Sequence, residues 1–239
     1  PILILGSPRS GTTLLYQLLT EQLDVGYLSN VHMEHPADVS RVEREQRPRA
    51  VREASDFESE HGATAGAAGP HEAGEFWYRF FPRAPHQVHA ANATPESTRS
   101  LRAAVRLFAD ACGAPVVFKN VFNSLRIPVI HAALPEARYI HIERDLESNA
   151  RSLLVGRLKR GELDAWWSAR PDGSEAVADL SPAEQVVWQV QRMNEVTHEQ
   201  LAKLPAEHSY VVSYAELCTE PVRVIADIVE WLTSTGVRV

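Results

Sequence analysis

The chain of 239 residues is 44% hydrophobic and 23% charged, which is the balance of a globular domain with a substantial core. Its formal net charge of −7 leaves no basic excess to displace counterions, so we expect no nucleic-acid partner. Two cysteines are too few for a disulfide framework, and no apolar run approaches the roughly 18 residues of a membrane span, so we expect a cytoplasmic protein without a membrane span. Because the chain has no initiator Met and ends abruptly, we also expect it to be part of a longer protein.

Apolar runs predict five short strands that alternate with helices along the chain. The strands are expected at residues 2–5, 25–28, 115–118, 138–144 and 209–213. Helices are expected at residues 12–23, 96–112, 124–134, 146–158 and 221–232, with another that starts at the capping box of residues 181–184. This alternation predicts a single α/β domain over residues 1–239, with a mostly parallel central sheet of about five strands flanked by helices.

Residues 35–75 interrupt this alternation. They are rich in Arg, Glu, Ala, Gly and His and have little periodicity, and "HGATAGAAGP" at residues 61–70 has the composition of a flexible loop. A loop of this length in a compact domain is usually a lid, a binding loop or a disordered segment. We therefore expect a long variable loop insertion at about residues 35–75.

The first predicted strand leads into a glycine-bracketed loop, "GSPRSGTT". Gly6 and Gly11 have the spacing of the nucleotide-binding motif G-x-x-x-x-G-K-[ST], but Thr12 stands where that motif has lysine. Glycines let backbone amides approach an anion closely, and the amino end of the next helix adds to them. Arg9 supplies a positive charge that partly replaces the missing lysine. The residues expected to contact the anion are Ser7, Pro8, Arg9, Ser10, Gly11, Thr12 and Thr13.

The missing lysine narrows the range of anions that this loop is expected to bind. Transfer of a heavily charged γ-phosphoryl group depends on a metal, and the chain has neither the lysine nor a clear Mg²⁺-binding Asp after a strand. A sulfuryl group carries a single negative charge, so amides and cations suffice to hold it. The loop therefore suits a phosphosulfate better than a triphosphate, and we expect no metal in the site.

Two motifs, in this order, resemble the sulfotransferases that use 3′-phosphoadenosine 5′-phosphosulfate (PAPS). "GSPRSGTT" is similar to the family's 5′-phosphosulfate loop, and "YIHIERDLESNARSLL", residues 139–154, resembles the strand, loop and helix that bind the 3′-phosphate. The resemblance implies that Arg144 and Ser152, eight residues apart, clamp that phosphate. It also implies a P-loop NTPase-like fold, PAPS as co-substrate and adenosine 3′,5′-bisphosphate as product.

The late segment "VVSYAELCTEPVRVIADIVEWL" resembles the family's last strand and closing helix. Its Tyr214 matches a tyrosine that lies near the adenine, although a packing role at a strand end is an equal alternative. Three features depart from the family pattern: Leu146 stands where proline is common, Arg9 replaces a loop lysine of many cytosolic members, and the late Arg-Lys-Gly phosphate motif is not recognisable. The resemblance is therefore to bacterial-type enzymes that act on small molecules or carbohydrates.

Sulfuryl transfer to an alcohol or amine needs a base for the acceptor's proton and cations for the developing charge. Arg9 is the first candidate for the cation, and Lys119, at the carboxyl edge of the predicted sheet, is the second. The candidate bases, in order of preference, are His71, Glu72 and His32. The first two lie beside aromatic residues in "PHEAGEFW" and the third follows the second strand, but each can also be an ordinary surface polar residue.

Two other functions are compatible with the sequence. A P-loop kinase-like protein that lacks the lysine would bind ATP with Mg²⁺, and a non-catalytic scaffold with a degenerate pocket would bind nucleotide without turnover. For a sulfotransferase, we expect a small-molecule or carbohydrate acceptor to contact the variable loops at residues 35–74 and 161–180, because such loops carry specificity. A homo-oligomer is also compatible with the sequence.

Overall fold

The structure, a computed structural model, describes residues 1–46, 57, 59 and 64–239. Its strands are β1 Ile2–Leu5, β2 Gly26–Tyr27, β3 Val116–Lys119, β4 Arg138–Glu143 and β5 Ser209–Ser213. They form one sheet in the order β2-β3-β1-β4-β5, and every neighbouring pair is parallel. The predicted α/β domain with a five-stranded, parallel central sheet is thus confirmed.

Helices flank this sheet. The α-helices of the described residues are α1 Thr12–Gln22, α2 Val39–Glu45, α3 Gly74–Trp77, α4 Pro95–Cys112, α5 Ile127–Ala133, α6 Leu146–Lys159, α7 Pro182–Leu201, α8 Tyr214–Thr219 and α9 Pro221–Ser234. Short 3₁₀ helices lie at Asn30–Glu34, Ala90–Asn92, Val121–Leu125, Ser174–Val177 and Ala206–His208. Sequence signals mark the ends of the long helices: Ser181 caps α7 through a capping box with Glu184, and Gly113 ends α4 in the left-handed conformation.

The segment predicted as a loop at residues 35–75 contains helical turns where the structure describes it. The helix α2 buries Val39 and Val42 and packs against α4. These two apolar residues alone mark its buried face, so the surrounding charged residues hid the helical period in the sequence. Residues 47–56, 58 and 60–63 of the predicted loop lie outside the described residues.

The helix predicted at residues 124–134 is two shorter elements. A 3₁₀ helix ends at Leu125, Arg126 leaves the helical region with φ −130°, and α5 starts at Ile127. Pro128 lies in the first turn of α5, where a residue without an amide donor is tolerated. The proline therefore marked the true start of the helix.

The sheet is covered on both faces, which explains why its strands read as continuous apolar runs. Leu3 and Leu5 of β1 join a core with α4 and α5, whereas Ile2 and Ile4 join a core with α1 and α9. Each of these four side chains is at most 1% exposed. Within the part of the chain that is described, none of the helices has the length and apolar character needed to span a bilayer.

The carboxyl ends of β1, β3 and β4 meet at one edge of the sheet, because these neighbouring strands are parallel. There, β1 runs into the loop that starts at Gly6, β3 ends at Lys119, and Arg144 follows β4. Ligands of open α/β sheets bind at this edge. Folding thus brings the two sequence motifs, about 130 residues apart, to the same place.

Candidate active site

The loop between β1 and α1 contains two residues in the left-handed region. Arg9 has a φ of 68° and Gly11 a φ of 102°. A Cβ atom at Gly11 would collide with the ring of Tyr214, so this position requires glycine for its dihedral angle and for space. The turn leaves Pro8, Arg9, Gly11, Thr12 and Thr13 along the wall of a cleft.

Hydrogen bonds to neighbouring elements hold this loop. The Ser7 hydroxyl donates to Asn149 Oδ1 (2.8 Å), and Asn149 Nδ2 donates to the carbonyl of Pro8 (2.7 Å). The amide of Gly6 donates to the Ser124 hydroxyl (3.0 Å). The Ser7 side chain, expected on the anion, therefore supports the loop, and its backbone amide is the group left for an anion.

Arg9, Arg144 and Tyr214 line one part of the cleft; together with Ser152, which contacts Arg9, we call them the arginine end. Arg9 Nε donates to the Ser152 hydroxyl (3.3 Å), and Arg144 Nη1 donates to the carbonyl of Arg9 (3.3 Å). The Arg144 guanidinium lies over the Tyr214 ring, 4.6 Å from its centroid. Neither arginine forms an ion pair with a carboxylate of the described residues, so both positive charges are available to an anion.

The residue after Arg144 fixes the start of α6. The Asp145 carboxylate caps this helix by accepting the amide of Ser148 (2.9 Å), and hydrogen bonds from Ser148 lower the pKa of Asp145. An N-terminal cap of this kind sets where the helix begins. It thereby fixes the position of Ser152 within α6, two turns after Arg144.

Another part of the cleft, which we call the lysine end, is built around Lys119. The Lys119 side chain is buried, and its ammonium group forms an ion pair with Glu72 and donates to the Thr13 hydroxyl (3.0 Å). Asn120 Nδ2 donates to the carbonyl of Glu72 (3.0 Å) and so fixes the backbone that carries this carboxylate. A buried ammonium group needs such a partner, because desolvation destabilises an unpaired charge.

The two ends belong to one cleft of about 450 Å³, a size suited to a small ligand. The described residues that line it are Pro8, Arg9, Gly11, Thr12, Thr13, Leu14, Ser59, Glu72, Lys119, Val121, Phe122, Arg144, Trp167, Ser168 and Tyr214. Ser7, Ser10, Ser152, His71 and His32 are predicted site residues that are not among these described lining residues. Ser10 is buried, and its hydroxyl has no hydrogen-bond partner in the described part of the chain.

The two histidines predicted as bases are engaged elsewhere. His71 Nδ1 accepts the amide of Ala73 (2.8 Å), and burial lowers the pKa of His71. A neutral imidazole has one lone pair, and here that lone pair is used by the backbone. His32 is fully buried, with Nδ1 against the Ser29 amide (3.1 Å) and Nε2 2.9 Å from Glu43 Oε2.

Six of the described lining residues were not among the site residues predicted from the sequence: Leu14, Ser59, Val121, Phe122, Trp167 and Ser168. Phe122 lies in the 3₁₀ helix after β3, whereas Trp167 and Ser168 belong to the segment at residues 161–180 that was expected to carry specificity. Gly156 makes room for Trp167, because a Cβ atom there would collide with the indole ring. Gly156, inside the helix predicted at residues 146–158, was therefore a local sequence signal that another side chain packs closely against that helix.

A parallel sheet whose first strand passes through a glycine-bracketed loop into a helix is the architecture of P-loop-like folds. Within that class, the family model described as the sulfotransferase family matches residues 1–235, and the chain belongs to this family. The comparison with curated proteins finds no match.

Solved bacterial sulfotransferases share the fold. Sulfotransferase STF9 from Mycobacterium avium is 17% identical, with a TM-score of 0.64 over 98% of this chain and 63% of that protein. Sulfotransferase STF1 from Mycobacterium tuberculosis H37Rv is 16% identical, with a TM-score of 0.57 over 99% of this chain and 67% of that protein. The sulfotransferase domain from the curacin biosynthetic pathway is 15% identical, with a TM-score of 0.56 over 97% of this chain and 73% of that one.

Proposed function

We propose that this chain moves the sulfuryl group of PAPS to a hydroxyl or amine of a small-molecule or carbohydrate acceptor, and that residues 1–239 form one sulfotransferase domain. The observation that carries the proposal is that the arginine end and the lysine end share one cleft at the carboxyl edge of the sheet. The arginine end offers two cations without an acidic partner, which suits a phosphate dianion. The lysine end offers a carboxylate beside a cation, which suits proton transfer.

In this proposal the arginine end binds the nucleotide. Arg144 and Ser152 bind the 3′-phosphate, since a guanidinium fork and a hydroxyl are both strong donors to a dianion. Tyr214, in contact with Arg144, lies near the adenine. The amides of residues 7–13 and the amino end of α1 hold the 5′-phosphosulfate.

The transfer step belongs to the lysine end. Glu72 takes the proton of the acceptor hydroxyl, the acceptor oxygen forms a bond to sulfur, and the bond between sulfur and the 5′-phosphate oxygen breaks. The proton neutralises Glu72 and so releases Lys119 from its ion pair while the leaving phosphate gains negative charge. Lys119 and Arg9 then stabilise that charge.

Glu72 is the base in this proposal, ahead of the two histidines preferred from the sequence. The Glu72 side chain lines the cleft, whereas the lone pair of His71 accepts the amide of Ala73. His32 is fully buried between Ser29 and Glu43, so an acceptor cannot reach it without rearrangement of the fold. We therefore assign His71 and His32 to support of the backbone and of the core.

In this proposal the acceptor contacts the aromatic side chains of the cleft wall. Phe122 and Trp167 line the same cleft as Glu72 and offer flat apolar surface, the usual complement of a phenol or sugar ring. Ser168, also a lining residue, adds a hydroxyl for orientation. This set suits a neutral, cyclic acceptor.

Titration calorimetry with adenosine 3′,5′-bisphosphate in the presence of a chelator tests the nucleotide assignment. We expect binding without metal, and binding of adenosine 5′-monophosphate that is weaker by about tenfold or more, since it lacks the 3′-phosphate. Preferential binding of ATP with Mg²⁺ would overturn the proposal in favour of a kinase-like protein. Bisphosphate binding without sulfate transfer from radiolabelled PAPS to any phenol, sugar or amine of a broad panel would favour a scaffold.

A further inference from the structure

Three metal-ligating side chains meet outside the cleft, where the end of β4 faces α7. His141 and Glu143 are two residues apart on β4, so both point to the same face of the sheet, and His198 lies near the end of α7. Each of the three places one ligand atom within 4.8 Å of the ligand atoms of the other two. None of them is among the described residues that line the cleft.

The spacing of these atoms is close to that of a metal site. Glu143 Oε1 lies 3.4 Å from His141 Nδ1 and 2.5 Å from His198 Nε2. Ligand atoms of a tetrahedral site with bonds of about 2.0–2.1 Å are spaced about 3.3 Å apart. The distance between Glu143 and His141 already matches this spacing. The distance between Glu143 and His198 is too short, but the His198 side chain is 53% exposed and can move outward to lengthen it.

Some buried polar atoms at this cluster lack hydrogen-bond partners. His141 is fully buried, and neither of its ring nitrogens has a hydrogen-bond partner among the described residues. The buried Oδ1 of Asn194, one turn before His198 on the same side of α7, also has none in the described chain. Buried imidazole nitrogens are normally satisfied, so an unsatisfied pair calls for an explanation.

The imidazole of His141 is already in place for a metal ion, because β4 holds it beside Glu143 on the same face of the sheet. No rearrangement of the buried strand is needed to present Nδ1, which already faces Glu143.

We propose that His141, Glu143 and His198 form a zinc site that joins β4 to α7. Two imidazoles and one carboxylate are a common protein ligand set for Zn²⁺, and the exposed side of His198 leaves a fourth position for water. The site is independent of the proposed transfer reaction and lies outside its machinery. Its role is structural, because the ion links the central strand β4 to the helix α7. The link lies at Glu143, directly before Arg144.

Metal titration of the full chain, stripped with a chelator and dialysed, tests this site. We expect about one equivalent of Zn²⁺ to bind, and Co²⁺ in its place to give the visible absorption of a tetrahedral site. Zn²⁺ should also raise the midpoint of thermal unfolding, because it binds the folded chain in preference. His198→Ala and Glu143→Gln should each weaken Zn²⁺ binding at least tenfold.

The matched control is His89→Ala. His89 is an exposed histidine whose Nε2 lies 2.7 Å from a carboxylate oxygen of Asp172, so it reproduces the His198–Glu143 pair without a third ligand. We expect this variant to keep the affinity of the unmodified chain. The unfolding midpoint of metal-free His198→Ala, expected to be unchanged, shows that the variant is folded.

Three results would overturn the proposal. The first is an absence of stoichiometric binding, which would leave His198 and Glu143 as a simple ion pair. The second is equal affinity in the unmodified chain and His198→Ala. The third is a near-ultraviolet thiolate band with Co²⁺, which would assign the ion to Cys112 or Cys218 instead.

Discussion

The two ends of the cleft differ in whether their cationic side chains have an acidic partner. At the arginine end, Arg144 donates to the backbone carbonyl of Arg9, and neither arginine has an acidic partner among the described residues. At the lysine end, Lys119 is already neutralised by Glu72 before any ligand arrives. Two cations without an acidic partner suit the binding of a dianion. In an ion pair, by contrast, the carboxylate can accept a proton, and the cation is then free to interact with another anion. In the proposed reaction this difference separates binding of the 3′-phosphate from proton transfer within one cavity, and the variants below test that proposal.

The largest effect is expected at the lysine end. Glu72→Gln keeps the shape of the side chain but removes its basicity, so kcat should fall at least 100-fold, the usual contribution of a general base. The affinity for adenosine 3′,5′-bisphosphate should change less than about twofold, because Glu72 is not among the groups proposed to bind the nucleotide. Steady-state transfer from radiolabelled PAPS and calorimetry measure the two quantities.

The matched control is Glu75→Gln, three residues further along. Its carboxylate is exposed and pairs with Arg83 at 2.7 Å, so we expect full activity. Retained turnover in Glu72→Gln would remove Glu72 as the base. If His71→Ala then abolished turnover, the sequence-based preference for that histidine would return.

The second effect concerns the arginine end. Arg144→Ala should weaken binding of adenosine 3′,5′-bisphosphate about 10- to 100-fold through loss of a charge-assisted clamp. Adenosine 5′-phosphosulfate, which has no 3′-phosphate, should lose little affinity in the same variant. Calorimetry with both ligands isolates the contribution of that phosphate.

Arg151→Ala serves as the control for this charge change, since Arg151 is an exposed arginine on α6 beside Ser152. We expect it to bind both ligands normally. Equal losses for the two ligands in Arg144→Ala would show that Arg144 does not contact the 3′-phosphate.

A smaller effect is expected from the turn that joins the loop to α1. Gly11→Ala places a methyl group against the Tyr214 ring at a φ of 102°, so it should displace the ring and weaken nucleotide binding about five- to tenfold. Gly113→Ala introduces similar backbone strain, with φ 68°, but its methyl group meets open space. Calorimetry should show normal affinity for Gly113→Ala, and an equal loss in both variants would attribute the effect to general strain.

The smallest effect concerns how the lysine end is held. His86 Nδ1 accepts the amide of Arg170 (2.8 Å), and its ring packs on Phe122 with centroids 4.7 Å apart. Burial, followed by the charges of Arg126 and Arg170, lowers the pKa of His86. The unfolded chain therefore binds this proton more readily, and stability falls as the pH drops below about 6.5.

Because His86 is partly exposed, its contribution should be under about 1 kcal/mol between pH 7 and pH 5. Urea unfolding across this range should show a shallower pH dependence for His86→Gln than for the unmodified chain. Identical pH profiles would mean that this hydrogen bond does not hold the segment that carries Trp167.

Local pattern predicted most of the fold. The apolar run at Ile2–Leu5 predicted the central strand, and the predicted bounds of β5 are those observed. The pattern failed where buried positions were few, as in α2 with its two valines, or where two short elements adjoin, as at Arg126. Periodicity needs several turns to rise above the surrounding polar residues.

The candidate site, too, was predicted only in part from the sequence. Arg144 and Ser152 were predicted at the 3′-phosphate, Arg9 in the 5′-phosphosulfate loop, and Tyr214 near the adenine or in a packing role. In the structure, Arg9 contacts Ser152 and Arg144, and Arg144 contacts Tyr214. Their role with a nucleotide stays a prediction. Phe122, Trp167 and Ser168 had no motif, because they come from segments that meet the cleft only after α6 and the sheet are packed.

The sequence by itself determined the order of strands and helices, the glycine-bracketed loop and the two motifs that meet at the sheet edge. These properties depend on neighbours along the chain, through apolar alternation and the dihedral freedom of glycine. The tertiary structure placed Glu72, and not its neighbour His71, among the described residues that line the cleft. It also brought His198 to His141, 57 residues away, because the direction of a side chain at a sheet edge depends on packing against distant elements.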